Sequence, residues 1–233
     1  MTELDLRNRS AALAAVLQRW SRGQALTQLT LLFGCAWLHA AWPIAPGALA
    51  SFAVLSWLAR GNHTPSGRFG WANAVTTIRL VLLLTLTIRA SALSPLAALA
   101  VVCGVLGLDL VDGWLARACG DASSFGAHFD MESDAQLVLV LTLRLWLVEG
   151  IGAWVLFAGL LRYLYVLGLW LWPESPREAP RSVFARYAFA LLMVGLCGGL
   201  VLPRRFATTS AWCGTVIVSW SFARSSYFSW RAS

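Results

Sequence analysis

Six of the chain's 11 acidic residues, Asp109, Asp112, Asp121, Asp130, Glu132 and Asp134, fall within 26 consecutive positions, where composition alone would put about one. On helices, Asp109 and Asp112 (three apart) and Asp130 and Asp134 (four apart) each share a face. Each pair is expected one turn from the end of its helix, so two helices would present four convergent carboxylates. Ionised groups about 4 Å apart repel by about 4 kcal/mol at an effective dielectric near 20, and no lysine is at hand to relieve this. Divalent cations are the natural counter-charge. Carboxylate oxygens suit Mg²⁺ or Mn²⁺, and four of them can bridge two ions about 3.5 to 4 Å apart, an arrangement that stabilises the attacking and leaving oxygens of phosphoryl transfer.

Small residues and one arginine surround these acids. Gly113 follows the first pair, Ala116 and Arg117 come next, and Gly126 precedes the second pair. Glycine and alanine let a bulky ligand approach a helix backbone, and an arginine at this place can grip a diphosphate with two parallel hydrogen bonds.

The elements that must position these groups are apolar helices. Of 233 residues, 58% are hydrophobic and 12% charged, about half the charge of a soluble domain, and the mean hydropathy is +0.67. Disorder is excluded, and a polytopic all-α membrane bundle is expected rather than a soluble enzyme. Apolar blocks run near 25–42, 44–59, 73–90, 92–116, 126–148, 151–172, 183–202 and 206–223, giving eight expected helices. Pro43 and Pro46 make the first two the alternative of a re-entrant hairpin. Residues 1–24 carry Arg7, Arg9, Arg19 and Arg22 around Leu6, Leu13, Leu17 and Trp20, which predicts an amphipathic helix at the membrane interface.

All 18 basic residues are arginines and the net charge is +7, which fits anionic lipid headgroups and topology; a nucleic-acid-binding face has no room. With a cytoplasmic N-terminus, twelve arginines fall on the cytoplasmic side and four (Arg89, Arg144, Arg204, Arg205) on the other, with Arg79 and Arg162 at membrane depth. Most tryptophans lie near block ends, as an interfacial belt requires. No signal peptide is read at the N-terminus, and the style of the chain fits a bacterial inner membrane. The five cysteines show neither metal-ligand nor disulfide spacing. Gly195 and Gly199 form a small-xxx-small pattern that points to close helix packing or a homodimer.

The run Asp109-x-x-Asp112-Gly113-x-x-Ala116-Arg117, eight residues, then Gly126-x-x-x-Asp130-x-x-x-Asp134 resembles the signature of the CDP-alcohol phosphatidyltransferases at every fixed position. Upstream, Asn73-x-x-Thr76-x-x-Arg79 is similar to a pattern common in that family. The resemblance covers residues 70–225 as a six-helix core and leaves 1–24 and two further helices in 25–60 outside it. It implies that Asp109, Asp112, Asp130 and Asp134 hold two Mg²⁺ or Mn²⁺ ions, with Asp134 also the general base on an acceptor hydroxyl. It further implies that Gly113, Ala116, Arg117 and Gly126 line a cytidine-diphosphate pocket with Asn73, Thr76 and Arg79 nearby. The implied reaction moves a phosphatidyl group from CDP-diacylglycerol to a small alcohol, such as glycerol 3-phosphate or an inositol-type alcohol, and releases CMP. A CDP-choline or CDP-ethanolamine donor acting on diacylglycerol is the alternative within the family. A divalent-cation transporter or a non-catalytic membrane protein is the alternative of another class.

Other polar residues are less specific. Asp121 and Glu132 lie off the pattern and read as solvated interfacial charges, and His128 as a surface histidine. Neither His39 nor His63 has an identifiable partner. Arg162, inside an apolar block, is expected to face a cavity or a partner. It would bind an acceptor phosphate with Arg181 or Arg186, or pair with a helix carbonyl or with Glu149.

Overall fold

The computed structural model describes residues 3–171 and 183–231. Among these residues eight α-helices follow one another: α1 (Glu3–Leu38), α2 (Ile44–Leu58), α3 (Trp71–Ile88), α4 (Pro95–Ala118), α5 (Ser124–Leu147), α6 (Leu156–Leu171), α7 (Val183–Val201) and α8 (Arg204–Arg231). A 3₁₀ turn, Ala153–Val155, leads into α6. Expectations that concern Arg177, Arg181, Trp172 and the side chains of Leu6, Arg7, Arg9, Trp230 and Arg231 lie outside what is described.

Helix α5 is the axis of the bundle. Every residue from Ala135 to Leu145 is buried, the mark of a helix surrounded on all sides. It packs against α1, α3, α6 and α7, while α3 also packs against α4. Among the described residues, four segments are long and apolar enough to cross a membrane: Trp71–Ile88, Pro95–Ala118, Ala153–Leu171 and Phe184–Val201. Helix α5 carries Asp130, Glu132, Asp134 and Arg144, so its neighbours rather than its own composition fit it to an apolar interior.

Local chemistry sets the helix ends near the acidic residues. Ser94 caps α4, its Oγ accepting the Ala97 N–H at 3.2 Å with Pro95 behind it. Ser123 caps α5 in the same way, accepting the Gly126 N–H at 3.0 Å. Between them Gly120 takes φ +67°, the left-handed conformation that ends a helix at little cost to glycine. At the start of α3, Gly70 has φ +79°, and a Cβ there would lie 2.8 Å from the Asp121 carboxylate. That carboxylate accepts the Trp71 N–H at 3.2 Å. Asp121 is therefore the anion at a helix N-terminus, not simply a solvated charge.

The N-terminal region departs from expectation. No break occurs near residue 24, and α1 runs unbroken for 36 residues until His39, with φ 48°, turns the chain toward Pro43. Leu17 and Trp20 are buried with Phe52 and Leu55 of α2, so protein, rather than a lipid interface, meets that apolar face. Trp20 donates its indole N–H to the Ser51 carbonyl at 2.8 Å.

At the far end of the bundle, Arg144 is buried and ion-paired to Glu149 at 2.9 Å. It also donates to the carbonyls of Ala90 and Leu93 in the α3–α4 connection. Arg204 donates to the Gly150 carbonyl at 3.1 Å, giving one member of the Arg204–Arg205 pair a place. Gly195 and Gly199 are spent inside the chain. A Cβ at Gly195 would sit 2.5 Å from the Ser210 carbonyl of α8, and one at Gly199 would sit 3.0 Å from Leu145. The glycine pattern serves intramolecular packing, which removes it as an argument for a homodimer. All five cysteines are free thiols.

Candidate active site

Three helices build the acidic centre, not two. Asp112 lies six residues before the end of α4 and Asp130 six after the start of α5. That is about 9 Å from either end at 1.5 Å per residue, nearly two turns deep rather than one. Helix α3, which packs on both α4 and α5, contributes Arg79 at the meeting point. Its Nη1 lies 2.9 Å from Asp109, 2.8 Å from Asp112 and 2.8 Å from Asp130, and its Nη2 lies 2.8 Å from Asp134. All four expected carboxylates converge on one guanidinium.

Arg79, expected near a cytidine-diphosphate pocket, stands among the four acids themselves. It supplies the counter-charge that the sequence left to metal ions alone. Its burial, 1% exposed, demands such partners, since an unpaired buried charge costs several kcal/mol. Thr76, one turn earlier on α3, donates its hydroxyl to Asp112 at 2.9 Å and to the Ala72 carbonyl at 3.1 Å. Arg79 and Asp112 form the closed floor of the centre. The side chains of Asp109, Asp130 and Asp134 retain 36%, 33% and 27% of their exposure, so three acids face an opening above that floor.

The donor set fits a hard divalent cation. One oxygen from each of Asp109, Asp112 and Asp130 lies within 4.8 Å of the others. Oxygens on opposite sides of a single Mg²⁺ stand about 4.2 Å apart, so modest side-chain rotation suffices. Asp134 is not part of that triad and sits instead on the other branch of the guanidinium.

The remaining expected residues ring this centre. Asn73 is buried and donates its amide to the Phe69 carbonyl at 2.5 Å and toward the His63 carbonyl at 3.5 Å. A Cβ at Gly126 would lie 3.0 Å from the Asn73 amide oxygen, so glycine allows α5 to meet α3 here. Gly113 and Ala116 are half-buried and Arg117 is exposed. A Cβ on Gly113 would be 3.6 Å from the Arg117 guanidinium, which places that guanidinium back along α4 toward the acids.

Several polar residues differ from the sequence expectation. Glu132 is 1% exposed, ion-paired to Arg162 at 2.8 Å and hydrogen-bonded by the Ser21 hydroxyl at 2.9 Å. It is a buried charge, not a solvated one, and it rather than Glu149 is the acid that Arg162 meets. His128 is largely covered, with Nε2 2.8 Å from Ser21 Oγ. His63 has partners as well: its ring Nε2 lies 2.9 Å from the Ser56 carbonyl, and its ring makes T-shaped contacts with Phe69 and Phe125, 5.2 and 4.8 Å between centres. Polar spacing was the available signal for the Glu132 cluster, because Ser21, Gln24 and Gln28 share one helical face, as do His128, Glu132 and Gln136.

A family model described as CDP-alcohol phosphatidyltransferase matches residues 69–220, from the last residues before α3 into α8. Neither the curated proteins nor the solved structures gave a significant match. That family comprises transferases of substituted phosphate groups in phospholipid synthesis. Its members carry a phosphatidyl group from a CDP-alcohol to an acceptor alcohol within a membrane and use divalent metal ions. The match spans well over half of the chain, takes in all four converging aspartates and includes the four apolar segments long enough to cross a membrane. This integral membrane protein is an enzyme and belongs to the CDP-alcohol phosphatidyltransferase family.

Proposed function

We propose that the protein transfers the phosphatidyl group of CDP-diacylglycerol to the hydroxyl of a small alcohol and releases CMP. The observation that carries this reading is the convergence of Asp109, Asp112, Asp130 and Asp134 on one buried guanidinium, with three of the acids open to one side. Asp109, Asp112 and Asp130, with Asp134 beside them, are the residues that would hold two Mg²⁺ or Mn²⁺ ions. When bound, such ions supply positive charge to the oxygens of the diphosphate as charge builds there. The acceptor oxygen attacks the phosphorus that carries diacylglycerol, a new P–O bond forms, and the phosphoanhydride bond to CMP breaks. Asp134 receives the hydroxyl proton. Its oxygen is held by Arg79 Nη2 at 2.8 Å, which keeps the carboxylate aimed into the centre.

Arg117 grips the diphosphate from the exposed end of α4, while Gly113, Ala116 and Gly126 leave room for the nucleotide. Asn73 and Thr76 line its inner edge, Thr76 acting through Asp112. The arginine asymmetry supports a cytoplasmic face for this opening and, with the composition, a bacterial inner membrane. Residues 70–225 form the catalytic membrane domain, and 1–60 are an addition to it.

Substrate choice is tested by incubating the purified full chain with CDP-diacylglycerol, Mn²⁺ and, in turn, glycerol 3-phosphate, inositol, inositol phosphate and serine, with products read by mass. One phosphatidyl product with equimolar CMP is expected. Consumption of diacylglycerol only when CDP-choline or CDP-ethanolamine is supplied would replace this reading with the inverted one.

A further inference from the structure

Helix α5 has two polar faces. Asp130 and Asp134 occupy one, whereas His128, Glu132 and Gln136, at four-residue spacing, occupy the opposite one. The second face has no part in the chemistry above, yet its acid and its amide are fully enclosed, Glu132 at 1% and Gln136 at 0% exposure. Both are engaged from two neighbouring helices. Glu132 accepts from Ser21 of α1 at 2.9 Å and from Arg162 of α6 at 2.8 Å. Gln136 accepts from Gln28 of α1 at 2.9 Å and from Tyr163 of α6 at 3.2 Å. The Ser21 hydroxyl also lies 2.8 Å from His128 Nε2. Aromatic contacts tie the same segment from the side, with Trp20 5.4 Å from Phe52 and Phe52 5.5 Å from Phe129 between ring centres.

Apolar packing alone tolerates a helix turning slightly about its own axis. A buried ion pair with hydrogen bonds on both sides does not, because any turn leaves a charge without its partner in an apolar interior. One residue of rotation on α5, about 100°, would break both the Glu132 and the Gln136 sets and would carry Asp130 and Asp134 away from Asp109 and Asp112. The half of this lock that α1 supplies lies outside residues 69–220, the extent of the family match.

We propose that α1 is a positioning element of the active site. Through Ser21 and Glu132, with Arg162 opposite, it fixes the axial rotation of α5 that aims Asp130 and Asp134 at the two aspartates of α4. Glu132 is a positioning residue, and it acts through the backbone of the helix that carries the ligands. The inference rests on the reading that the four aspartates hold divalent ions and gives the N-terminal extension a role in that site.

The test is Mn²⁺ binding to the full chain in detergent, read from the signal of free Mn²⁺ without any turnover, beside thermal unfolding in EDTA. Ser21→Ala removes one hydroxyl and keeps both charges paired. Glu132→Gln removes the charge, and Glu132→Arg combined with Arg162→Glu reverses the pair. The expected result is Mn²⁺ affinity weakened about three- to tenfold in Ser21→Ala and more in Glu132→Gln, with recovery in the reversed pair. Unchanged Mn²⁺ affinity in Ser21→Ala, with only a lower unfolding temperature, would overturn the proposal and reduce the cluster to packing. That variant decides the matter where Glu132→Gln fails to fold. A wild-type chain that binds no Mn²⁺ would overturn the metal reading, and this inference with it.

Discussion

Arg79 and Asp134, 55 residues apart in sequence, meet at 2.8 Å through Nη2, while the other terminal nitrogen of the same arginine reaches Asp109, Asp112 and Asp130. A single positive charge cannot balance four carboxylates. The centre keeps an excess of negative charge open to one side, and each prediction about it starts from that imbalance.

Asp134→Asn removes the proton acceptor but keeps the shape and one hydrogen-bond acceptor for Arg79. CMP release is expected to fall by a factor of at least about 100, with expression kept and Mn²⁺ affinity weakened by less than that, about tenfold, as for the loss of one ligand. Assays of CMP and of Mn²⁺ on the same preparation check this. Retained turnover would remove Asp134 from the role of general base.

Asp109→Asn, Asp112→Asn and Asp130→Asn each take one charge from the triad whose oxygens lie within 4.8 Å of one another. The Mn²⁺ concentration for half-maximal CMP release is expected to rise about tenfold or more in each. Asp112→Asn should also unfold at a lower temperature than the other two, because Asp112 is the enclosed member and holds both Thr76 and Arg79.

Arg79→Gln leaves the four carboxylates facing one another without a fixed cation. Its unfolding temperature is expected to drop more in EDTA than with saturating Mn²⁺, since an ion can replace the missing charge and stabilises by mass action, about 2.7 kcal/mol at 100 times its dissociation constant. Thermal scans of wild type and variant in both conditions give the difference. An equal drop in the two would mean that Arg79 serves the fold and not the charge balance of the site.

Arg144→Met probes the opposite end of the bundle. It strands Glu149 and the carbonyls of Ala90 and Leu93, so a loss of about 3 kcal/mol in stability is expected. Mn²⁺ affinity of the folded fraction should not change. A matching loss of metal affinity would show that the two ends of α5 are coupled.

How much of this could be read from the sequence depends on which residues are constrained by chemistry and which by packing. The four aspartates and the glycines around them stood out because a two-helix carboxylate site requires those types at those spacings. The eight helices were legible because apolar blocks of this length allow little else, although among the described residues four segments, in α3, α4, α6 with its leading turn and α7, are long and apolar enough to cross a membrane. Arg79 was placed at membrane depth but not among the acids, because its neighbours come from helices 30 to 55 residues further on, a relation that only packing creates. Glu132 reads from the sequence as a solvated charge because acids near helix ends usually are, whereas its partners Ser21 and Arg162 lie on two other helices. The expected break after residue 24 rested on a change in polarity. Nothing there stops a helix, and the first proline is Pro43, beyond the end of α1.

The central claim is a metal-dependent phosphatidyl transfer at the four aspartates, and CMP release from CDP-diacylglycerol by the full chain tests it most directly. After stripping with EDTA and with an acceptor alcohol present, release should be absent and should return on titration with Mg²⁺ or Mn²⁺ in wild type but not in Asp134→Asn. CMP release that survives EDTA, or that is equal in the two proteins, would contradict the account.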